Sequence, residues 1–321
     1  MESAGETMAP LFLVGATGTG KSAAAMEIAR RAPERTAILA MDAMQVYRGA
    51  DIGTSKPTAA ERAEIPHGGL DLVEFGETFD VAQYLAHAAT FLREQREADR
   101  RVIVVGGTGL YFRALTRGLC EAPQAPVELR AELAALSVEQ LRERLAKIDP
   151  AMLARLDASN PRRLARAIEV MEFTGRSLRD WQEATPEPLL KNFTAIWIQR
   201  EKEELVSRIE ARVEEMFARG WVEEVRGLVK QYGADGVRRF PGIGYREIAE
   251  CLPDAGDPIS ALPATGQRVG HVAGEGLKRD IFVATRQYAK RQLTWFAREP
   301  SLQAVMLAGN QPFSAARPAL L

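Results

Sequence analysis

The sequence contains few residues of the kinds that cross-link or anchor a chain. Its 321 residues include two cysteines, Cys120 and Cys251, and three histidines, with no spacing typical of a metal site or a disulfide framework. No apolar run is long enough to span a bilayer as a helix, and the first residues lack the pattern of a signal peptide. These absences disfavour membrane and secreted proteins, and we expect a cytoplasmic one.

A strong excess of charge is also lacking. The formal net charge is -1, with 42 Lys or Arg against 43 Asp or Glu. Any surface that binds nucleic acid must therefore be a local basic stripe. Apolar side chains make up 46% of the chain and charged ones 26%, an ordinary globular composition with enough apolar material for a core. One or two domains are expected.

Short apolar segments alternate with helical stretches in the first third of the chain. Residues 11–14, 36–41 and 101–105 have the composition of buried strands, and residues 22–31 and 81–98 that of helices. This alternation predicts an α/β fold with a parallel sheet.

The alternation stops near residue 120, and the chain is then helical in composition to about residue 183. A strand-like segment at 193–198 and a long helix over 202–219 follow. We therefore predict an inserted all-helical subdomain. The predicted segments are 9–118 for the first part of the core, 119–190 for the insertion, and 191–321 for the return to the core, with a glycine-rich, loop-like stretch at 253–276.

Residues 15–22 match the pattern G-x-x-x-x-G-K-[ST] between a predicted strand and a predicted helix. We call this segment the glycine-rich loop. In this pattern backbone N–H groups surround phosphate oxygens, the lysine and the helix N-terminus add positive charge, and the Ser22 hydroxyl can bind Mg²⁺. The pattern does not distinguish a nucleoside triphosphate from another diphosphate. The predicted phosphate-binding residues are Gly15, Ala16, Thr17, Gly18, Thr19, Gly20, Lys21 and Ser22.

An aspartate, Asp42, follows the second predicted strand. Because the carboxyl ends of parallel strands face the ligand crevice, we expect Asp42 near the phosphates. Three roles remain open, namely a Mg²⁺ ligand, a general base, or a cap without chemistry. The third strand ends in Gly106-Gly107-Thr108, without the acidic residue that usually supplies an ATPase's second metal carboxylate, and this disfavours NTP hydrolysis.

Blocks of sequence over about residues 10–300 resemble the bacterial tRNA dimethylallyltransferases, also called tRNA isopentenyltransferases. Ala43 stands where that family usually has serine, and the stretch at 253–276 is looser than the usual connector. The blocks are GATGTGKS from Gly15, DAMQVYRG from Asp42, DIGTSKP from Asp51, GGTGLY from Gly106, NPRRLARAIE from Asn160, GIGYRE from Gly242 and TRQYAKRQLTWF from Thr285.

The resemblance implies a P-loop NTPase-like core that transfers a dimethylallyl group from dimethylallyl diphosphate to N6 of adenosine 37 in tRNA. It assigns the general-base role to Asp42, places Thr108 near the amine and the diphosphate, and has Gln45 read the adenine edge. It also implies that Arg212 contacts the diphosphate, although Glu204, Arg208 and Arg212 would otherwise be typical of a solvated ladder on one helix face.

The expected cofactor is Mg²⁺, bound through Ser22, and the expected partners are dimethylallyl diphosphate and the anticodon loop of tRNA. We expect a monomer without a membrane partner. Basic faces on two predicted helices, at 160–174 and 276–298, suit a tRNA backbone, although each could also be an ordinary solvated face. The expected tRNA-binding residues are Asp42, Ala43, Met44, Gln45, Thr108, Arg130, Arg162, Arg163, Leu164, Ala165, Arg166, Gly242, Tyr245, Arg246, Arg286, Lys290 and Arg291.

Three other functions fit parts of this pattern. An adenylate isopentenyltransferase would share the glycine-rich loop and Asp42, but such chains lack a large tRNA-binding half. A P-loop nucleotide kinase would use Asp42 for Mg²⁺ and the helical insertion as a lid. A non-catalytic RNA-binding module is disfavoured by the intact glycine-rich loop.

Overall fold

The computed structural model describes residues 9–252 and 271–316, except for the side chains of residues 271–273. Within this part of the chain a six-stranded sheet is formed, and each pair of neighbouring strands is parallel. The strands are β1 Leu11–Val14, β2 Thr36–Met41, β3 His67–Gly68, β4 Arg101–Gly106, β5 Thr194–Gln199 and β6 Gln303–Met306. Their order across the sheet is β3-β2-β4-β1-β5-β6.

Strand β1 lies near the middle of the sheet, and all four of its residues are fully buried. A strand that is apolar at every position is typical of a parallel sheet covered on both faces. The Phe12 ring packs edge-on against Phe112 and Phe193, while Leu11 and Leu13 belong to a cluster that includes Met26 of the following helix. The continuous apolar run of the sequence thus becomes the centre of the core.

The helices are α1 Lys21–Ala29, α2 Ala59–Glu64, α3 Val81–Glu97, α4 Gly109–Arg117, α5 Val127–Ala134, α6 Val138–Ile148, α7 Pro150–Arg155, α8 Pro161–Thr174, α9 Leu178–Glu183, α10 Lys202–Ala218, α11 Trp221–Tyr232, α12 Ala234–Arg238, α13 Tyr245–Cys251, α14 His271–Phe296 and α15 Phe313–Ala316. None of the described helices is long and apolar enough to cross a membrane.

The chain divides into two compact units. Unit 1 comprises Met1–Phe112 with Lys191–Leu321, and unit 2 comprises Arg113–Leu190. Every residue of unit 2 is described, and the unit contains helices and no strand. Its core includes Leu141, Leu164 and Ile168. The predicted α/β fold with a parallel sheet and an inserted all-helical subdomain is confirmed.

Helix α8 illustrates how the sequence of unit 2 sets its local structure. Asn160 caps the helix, because its side-chain oxygen accepts hydrogen bonds from the N–H groups of Arg162 and Arg163. Pro161 occupies the first helical turn, where its missing N–H costs nothing, and Gly175 ends the helix with a positive φ of 68°.

Two features differ from the expectations. Strands β3 and β6 were not predicted, since β3 has two residues and β6 has one buried side chain, Val305. The loop predicted at 253–276 is wrong at its end, because helix α14 begins at His271. The remainder of that prediction, 253–270, lies outside the described residues.

The strand register brings the chemically interesting segments to one edge of the sheet. Val14 of β1 pairs with Gly106 of β4, and Gly106 pairs with Met41 of β2. Each of these three residues ends its strand. The glycine-rich loop therefore starts next to Asp42 and Gly107, at the same edge of the sheet.

Candidate active site

The glycine-rich loop connects β1 to α1, and two of its glycines have conformations that other residues rarely adopt. Gly18 has φ 84° and Gly20 has φ 92°. Two arginines hold the loop by its carbonyl oxygens. Arg208 Nε donates to Gly18 O at 3.0 Å, and Arg200 Nε donates to Thr19 O at 2.9 Å.

Several backbone N–H groups of the loop remain available to a ligand. Within the described part of the chain, the N–H groups of Gly18, Gly20, Lys21 and Ser22 have no hydrogen-bond partner. Free N–H groups next to the start of a helix form an anion-binding site, since they point positive charge at a ligand. The loop therefore has the features of a site for an anion such as a phosphate.

Lys21 lies inside this site, where its Nζ is 3.3 Å from the carbonyl oxygen of Ala16. Burial lowers the pKa of Lys21 to about 8, and the nearby positive charge of Arg212 acts in the same direction. The Asp42 carboxylate opposes the shift. An anion bound here would stabilise the charged lysine, so the site favours ligands of high negative charge.

Arg212 of α10 has a different role from Arg208, one turn earlier. Arg208 holds the glycine-rich loop, whereas Arg212 lines a cavity and has no hydrogen-bond or ion-pair partner among the described residues. Burial lowers the pKa of the Arg212 guanidinium, and the Asp42 charge opposes this shift. Partial burial of a guanidinium without a partner is energetically unfavourable, and a bound anion would offset this cost.

Asp42 and Thr108 follow β2 and β4 and lie close together. One Asp42 oxygen accepts a hydrogen bond from the N–H of Met44 at 2.8 Å, and the Thr108 hydroxyl accepts one from the N–H of Ala43 at 3.2 Å. The other Asp42 oxygen has no partner within the described residues. Asp42 thus caps a local turn and still presents a free oxygen.

The cavity has a volume of about 780 Å³ and is formed by residues of unit 1. This volume lies within the range of small-molecule sites, about 300–1,000 Å³. The cavity contains Asp42, the expected base, and Thr108, which the resemblance places near the amine and the diphosphate. It also contains Lys21 of the glycine-rich loop and Arg212, the expected diphosphate ligand. Its lining includes Thr17, Lys21, Ser22, Asp42, Ala43, Met44, Gln45, Thr108, Arg212, Gly242, Tyr245, Tyr288, Arg291 and Gln292.

Residues 53–58 form one wall of the cavity, and contacts from elsewhere in the chain hold this segment and the two residues before it. Glu224 of α11 accepts hydrogen bonds from the N–H groups of Asp51 at 3.0 Å and Ile52 at 2.6 Å, and from the Tyr245 hydroxyl at 2.7 Å. The buried Lys56 ammonium donates to Asp51 at 2.7 Å. Lys56 lies in the DIGTSKP block, but the sequence analysis assigned it no role. Glu224 lies in none of the blocks, and its backbone partners Asp51 and Ile52 are more than 170 residues away.

Gln45 also stabilises this wall. Its amide donates to the carbonyl oxygens of Thr54 at 3.0 Å and Ser55 at 3.2 Å. The Gln45 NH₂ group, which could contact an adenine edge, is therefore already hydrogen-bonded. Its Oε1 has no partner among the described residues.

Trp221 is almost fully buried, and two glycines contact its indole. A Cβ atom added to Gly53 would come within 2.3 Å of the ring, and one added to Gly244 within 2.1 Å. The indole therefore fits between two backbone segments that each line or flank the cavity.

The residues predicted to bind tRNA differ in exposure. In unit 1, Arg246, Arg286, Lys290 and Arg291 are exposed, whereas Gly242 and Tyr245 are buried. In unit 2, Arg130, Arg162 and Arg163 are exposed and Ala165 is partly buried. The Leu164 side chain lies in the core of unit 2 and is not at the surface. Arg166 donates to Ala122 O at 2.6 Å and Pro123 O at 3.1 Å, so it stabilises the turn before α5.

Comparisons with known proteins agree on one family. The family model described as IPP transferase matches residues 45–299, and the one described as Isopentenyl transferase matches residues 8–71. The tRNA dimethylallyltransferase of Methylacidiphilum infernorum is 44% identical over 291 residues, covering 91% of this chain and 83% of the relative. That of Geobacter metallireducens is 40% identical over 303 residues, covering 91% and 90%.

Solved structures show the same likeness. The tRNA isopentenylpyrophosphate transferase of Bacillus halodurans is 30% identical with a TM-score of 0.61, covering 93% of this chain and 89% of that one. A eukaryotic dimethylallyltransferase acting on tRNA, 21% identical, has a TM-score of 0.77 over 96% and 76% of the two chains, and supports the fold alone. The predicted P-loop NTPase-like fold is thereby confirmed. The extent of these matches shows that this chain belongs to the IPP transferase family.

Proposed function

We propose that this protein transfers the dimethylallyl group of dimethylallyl diphosphate to N6 of adenosine 37 in tRNA and releases diphosphate. The observation that supports this most directly is that one cavity contains both a candidate anion site and a free carboxylate oxygen of Asp42. The unpartnered N–H groups of the glycine-rich loop, Lys21 and Arg212 suit a diphosphate, and Asp42 lies on the same lining. The names of the relatives supply the acceptor and the transferred group.

In the proposed reaction, a bond forms between N6 of the adenine and the allylic carbon, while the bond from that carbon to the diphosphate oxygen breaks. The electron pair of the broken bond goes to the leaving diphosphate. Lys21, Arg212 and the loop N–H groups stabilise the charge that grows there, because they are already in place before the bond breaks. These groups thus stabilise the transition state at the oxygen atoms of the leaving diphosphate.

The exocyclic amine of adenine is a weak nucleophile, since its lone pair is delocalised into the ring. We infer that the free oxygen of Asp42 takes the N6 proton as the new bond forms. The hydrogen bond from Met44 N–H to the other oxygen fixes the orientation of the carboxylate. Thr108, adjacent through its hydrogen bond to Ala43, would orient the amine or the diphosphate.

Mg²⁺ fits this site as a partner of the diphosphate. The Ser22 hydroxyl lies at the start of α1 on the cavity lining, and no group of three or more His, Cys, Asp or Glu side chains among the described residues could form a complete cage. Mg²⁺ is commonly bound by one or two protein oxygens together with substrate phosphates and water. When bound, the ion would neutralise charge on the diphosphate.

We infer that exposed basic residues bind the tRNA backbone. Arg286, Lys290 and Arg291 lie on α14 in unit 1, and Arg291 also lines the cavity. In unit 2, Arg130, Arg162 and Arg163 are exposed. The target base would have to leave its stack to enter the cavity, as in other enzymes that modify bases. Arg166 would contribute through the turn that it stabilises.

The proposal is tested by incubating the purified protein and Mg²⁺ with labelled dimethylallyl diphosphate and one of three acceptors. These are a tRNA with adenosine 37, the same tRNA with guanosine 37, and AMP. We expect label on the first alone, without a requirement for ATP. Equal labelling of AMP would contradict the acceptor, and labelling of the guanosine variant would contradict the position. Phosphate transfer from ATP in place of prenyl transfer would indicate a kinase.

A further inference from the structure

The side chain of Gln292, on α14, connects the glycine-rich loop to the loop that follows β4. Its Oε1 accepts a hydrogen bond from the N–H of Thr17 at 2.8 Å, and its Nε2 donates to the carbonyl oxygen of Gly107 at 3.0 Å. Gln292 as a whole residue is 5% exposed and lies on the cavity lining. A buried amide with both ends hydrogen-bonded is strongly fixed in place.

This contact changes which parts of the glycine-rich loop can bind an anion. The Thr17 N–H is occupied by Gln292, and the Thr19 N–H is hydrogen-bonded to Ala16 O at 3.3 Å. The N–H groups of Gly18, Gly20, Lys21 and Ser22, which have no partner among the described residues, lie on the α1 side of Thr17. A loop of this type that binds a nucleoside triphosphate holds a chain of three phosphates. Here the Thr17 N–H is already used by the protein.

The neighbouring loop leaves space for this amide. A Cβ atom added to Gly107 would lie 2.1 Å from Gln292 Nε2. Gly107 does not have a positive φ, so its backbone conformation does not require glycine. The absence of a side chain at Gly107 is therefore explained by the Gln292 amide, which fills the space between the two loops.

We propose that Gln292 determines the length of the phosphate chain that the loop accepts, by closing the loop at Thr17 and so selecting a diphosphate over a triphosphate. This inference rests on the proposed function, because it assumes that a diphosphate binds between Lys21 and Arg212. A third phosphate would have to displace an amide that holds two hydrogen bonds. It would then also face the carbonyl oxygen of Gly107, which repels an anion.

The test is calorimetric binding of inorganic diphosphate and of inorganic tripolyphosphate, each with Mg²⁺, to the wild-type protein and to Gln292→Ala. We expect the wild type to prefer the diphosphate. In Gln292→Ala the ratio of tripolyphosphate to diphosphate affinity should rise about tenfold, since one N–H donor to a charged oxygen becomes available. The control is Gln287→Ala, an exposed glutamine on the same helix, which should leave the ratio unchanged.

A purely structural role for Gln292 would give a different result in this experiment. A folded Gln292→Ala protein with lower stability and an unchanged ratio would overturn the proposal, as would a wild type that binds tripolyphosphate at least as tightly as diphosphate. If Gln292→Ala does not fold, Gln292→Met keeps the length of the side chain and frees the Thr17 N–H. Its ratio should rise by a smaller factor, and an unchanged ratio again overturns the proposal.

The same experiment separates this inference from the proposed function. A wild-type protein that neither binds diphosphate nor transfers a prenyl group contradicts the proposed function itself. A wild-type protein that transfers the group normally, with a ratio that Gln292→Ala does not change, contradicts the selection by Gln292 alone.

Discussion

The glycine-rich loop and unit 2 are stabilised over very different distances along the chain. Arg200, Arg208 and Gln292 reach the loop across 181, 190 and 275 residues. In unit 2, Arg144 binds Glu172 across 28 residues. The helical unit is thus shaped by nearby sequence, whereas the geometry of the site depends on the tertiary structure. Substitution of the distant residues that hold the loop should therefore alter chemistry. Substitution of residues that pair with each other within unit 2 should alter local stability.

The largest effect is expected from Asp42→Asn, which keeps the shape of the side chain and removes its charge. If Asp42 is the base, single-turnover transfer should fall by about 10² to 10⁴ while diphosphate and tRNA still bind. Rapid-quench kinetics with both binding affinities would measure this. Loss of diphosphate binding would indicate a metal ligand, and near-normal transfer with about 1 kcal/mol less stability would indicate a cap.

The control for this substitution is Asp99→Asn. Asp99 is exposed and has a positive φ of 52°, a conformation that asparagine also tolerates. Its transfer rate should match that of the wild type.

The second prediction concerns the pH dependence of diphosphate binding. The Lys21 pKa of about 8 lies below its ordinary value of 10.5, so the free site loses this proton above pH 8. A bound diphosphate favours the charged lysine, and binding at pH 9 should therefore take up a proton. The affinity should fall by up to about tenfold for each pH unit above 8. Calorimetry in buffers of different ionisation enthalpy would measure the uptake.

Lys21→Arg provides the control, since arginine stays charged over this range. Its affinity should lose the part of the pH dependence that comes from Lys21 and keep any part that comes from the ligand. An identical pH profile for both proteins would show that Lys21 does not titrate there.

Arg208→Ala should produce a smaller effect through the backbone of the loop. It removes the hydrogen bond to Gly18 O, which helps to keep the N–H groups directed at the ligand. We expect diphosphate affinity to fall about fivefold, in line with about 1 kcal/mol for such a hydrogen bond. Titration with dimethylallyl diphosphate would check it. Unchanged affinity would mean that the loop holds its shape without Arg208.

Arg162→Ala addresses a surface residue of unit 2. Its side chain is exposed, so stability should hardly change, while tRNA affinity should fall about threefold and the salt dependence should weaken by about one counterion. Binding measured across several salt concentrations would show this. Diphosphate affinity is the internal control, and an equal loss for both ligands would point to a folding defect.

The smallest effect on catalysis is expected from Arg144→Ala. Arg144 binds Glu172 through two hydrogen bonds of 2.7 Å and also pairs with Glu132 at 2.5 Å. Because these groups are partly exposed, the loss of stability should be about 1 kcal/mol. Urea unfolding would measure it, and transfer should remain within about twofold of wild type. A tenfold loss of transfer would contradict the separation between local and long-range contacts.

The sequence predicted those parts of the fold that have a strong local pattern. The strands β1, β2, β4 and β5 follow continuous apolar runs. Strand β6 has little such signal, since only Val305 is buried, and pairing with β5 forms it. Helix α14 was expected to start later, because Gly274 and Gly276 are typical of loops. In the structure both lie inside the helix, where glycine is tolerated at a modest cost.

For the candidate site, the sequence indicated the residues that belong to motifs and the edge of the sheet where they lie. Strand-end rules place Asp42 and Thr108 beside the glycine-rich loop, and the structure has them there. The residues that support them could not be predicted. Glu224 of α11 holds the backbone of residues 51–53, and Gln292 reaches Thr17 from 275 residues away. Their contacts exist only once the chain has folded.

The enclosed indole of Trp221 also implies which positions can vary independently. Gly53 does not have a positive φ, so it must be glycine only as long as position 221 carries an indole. Gly244 has a φ of 92° and would remain constrained even opposite a smaller side chain. Positions 53 and 221 are therefore expected to change together among related sequences, while position 244 stays fixed. A residue larger than glycine at position 53 should be tolerated when position 221 carries a side chain smaller than tryptophan.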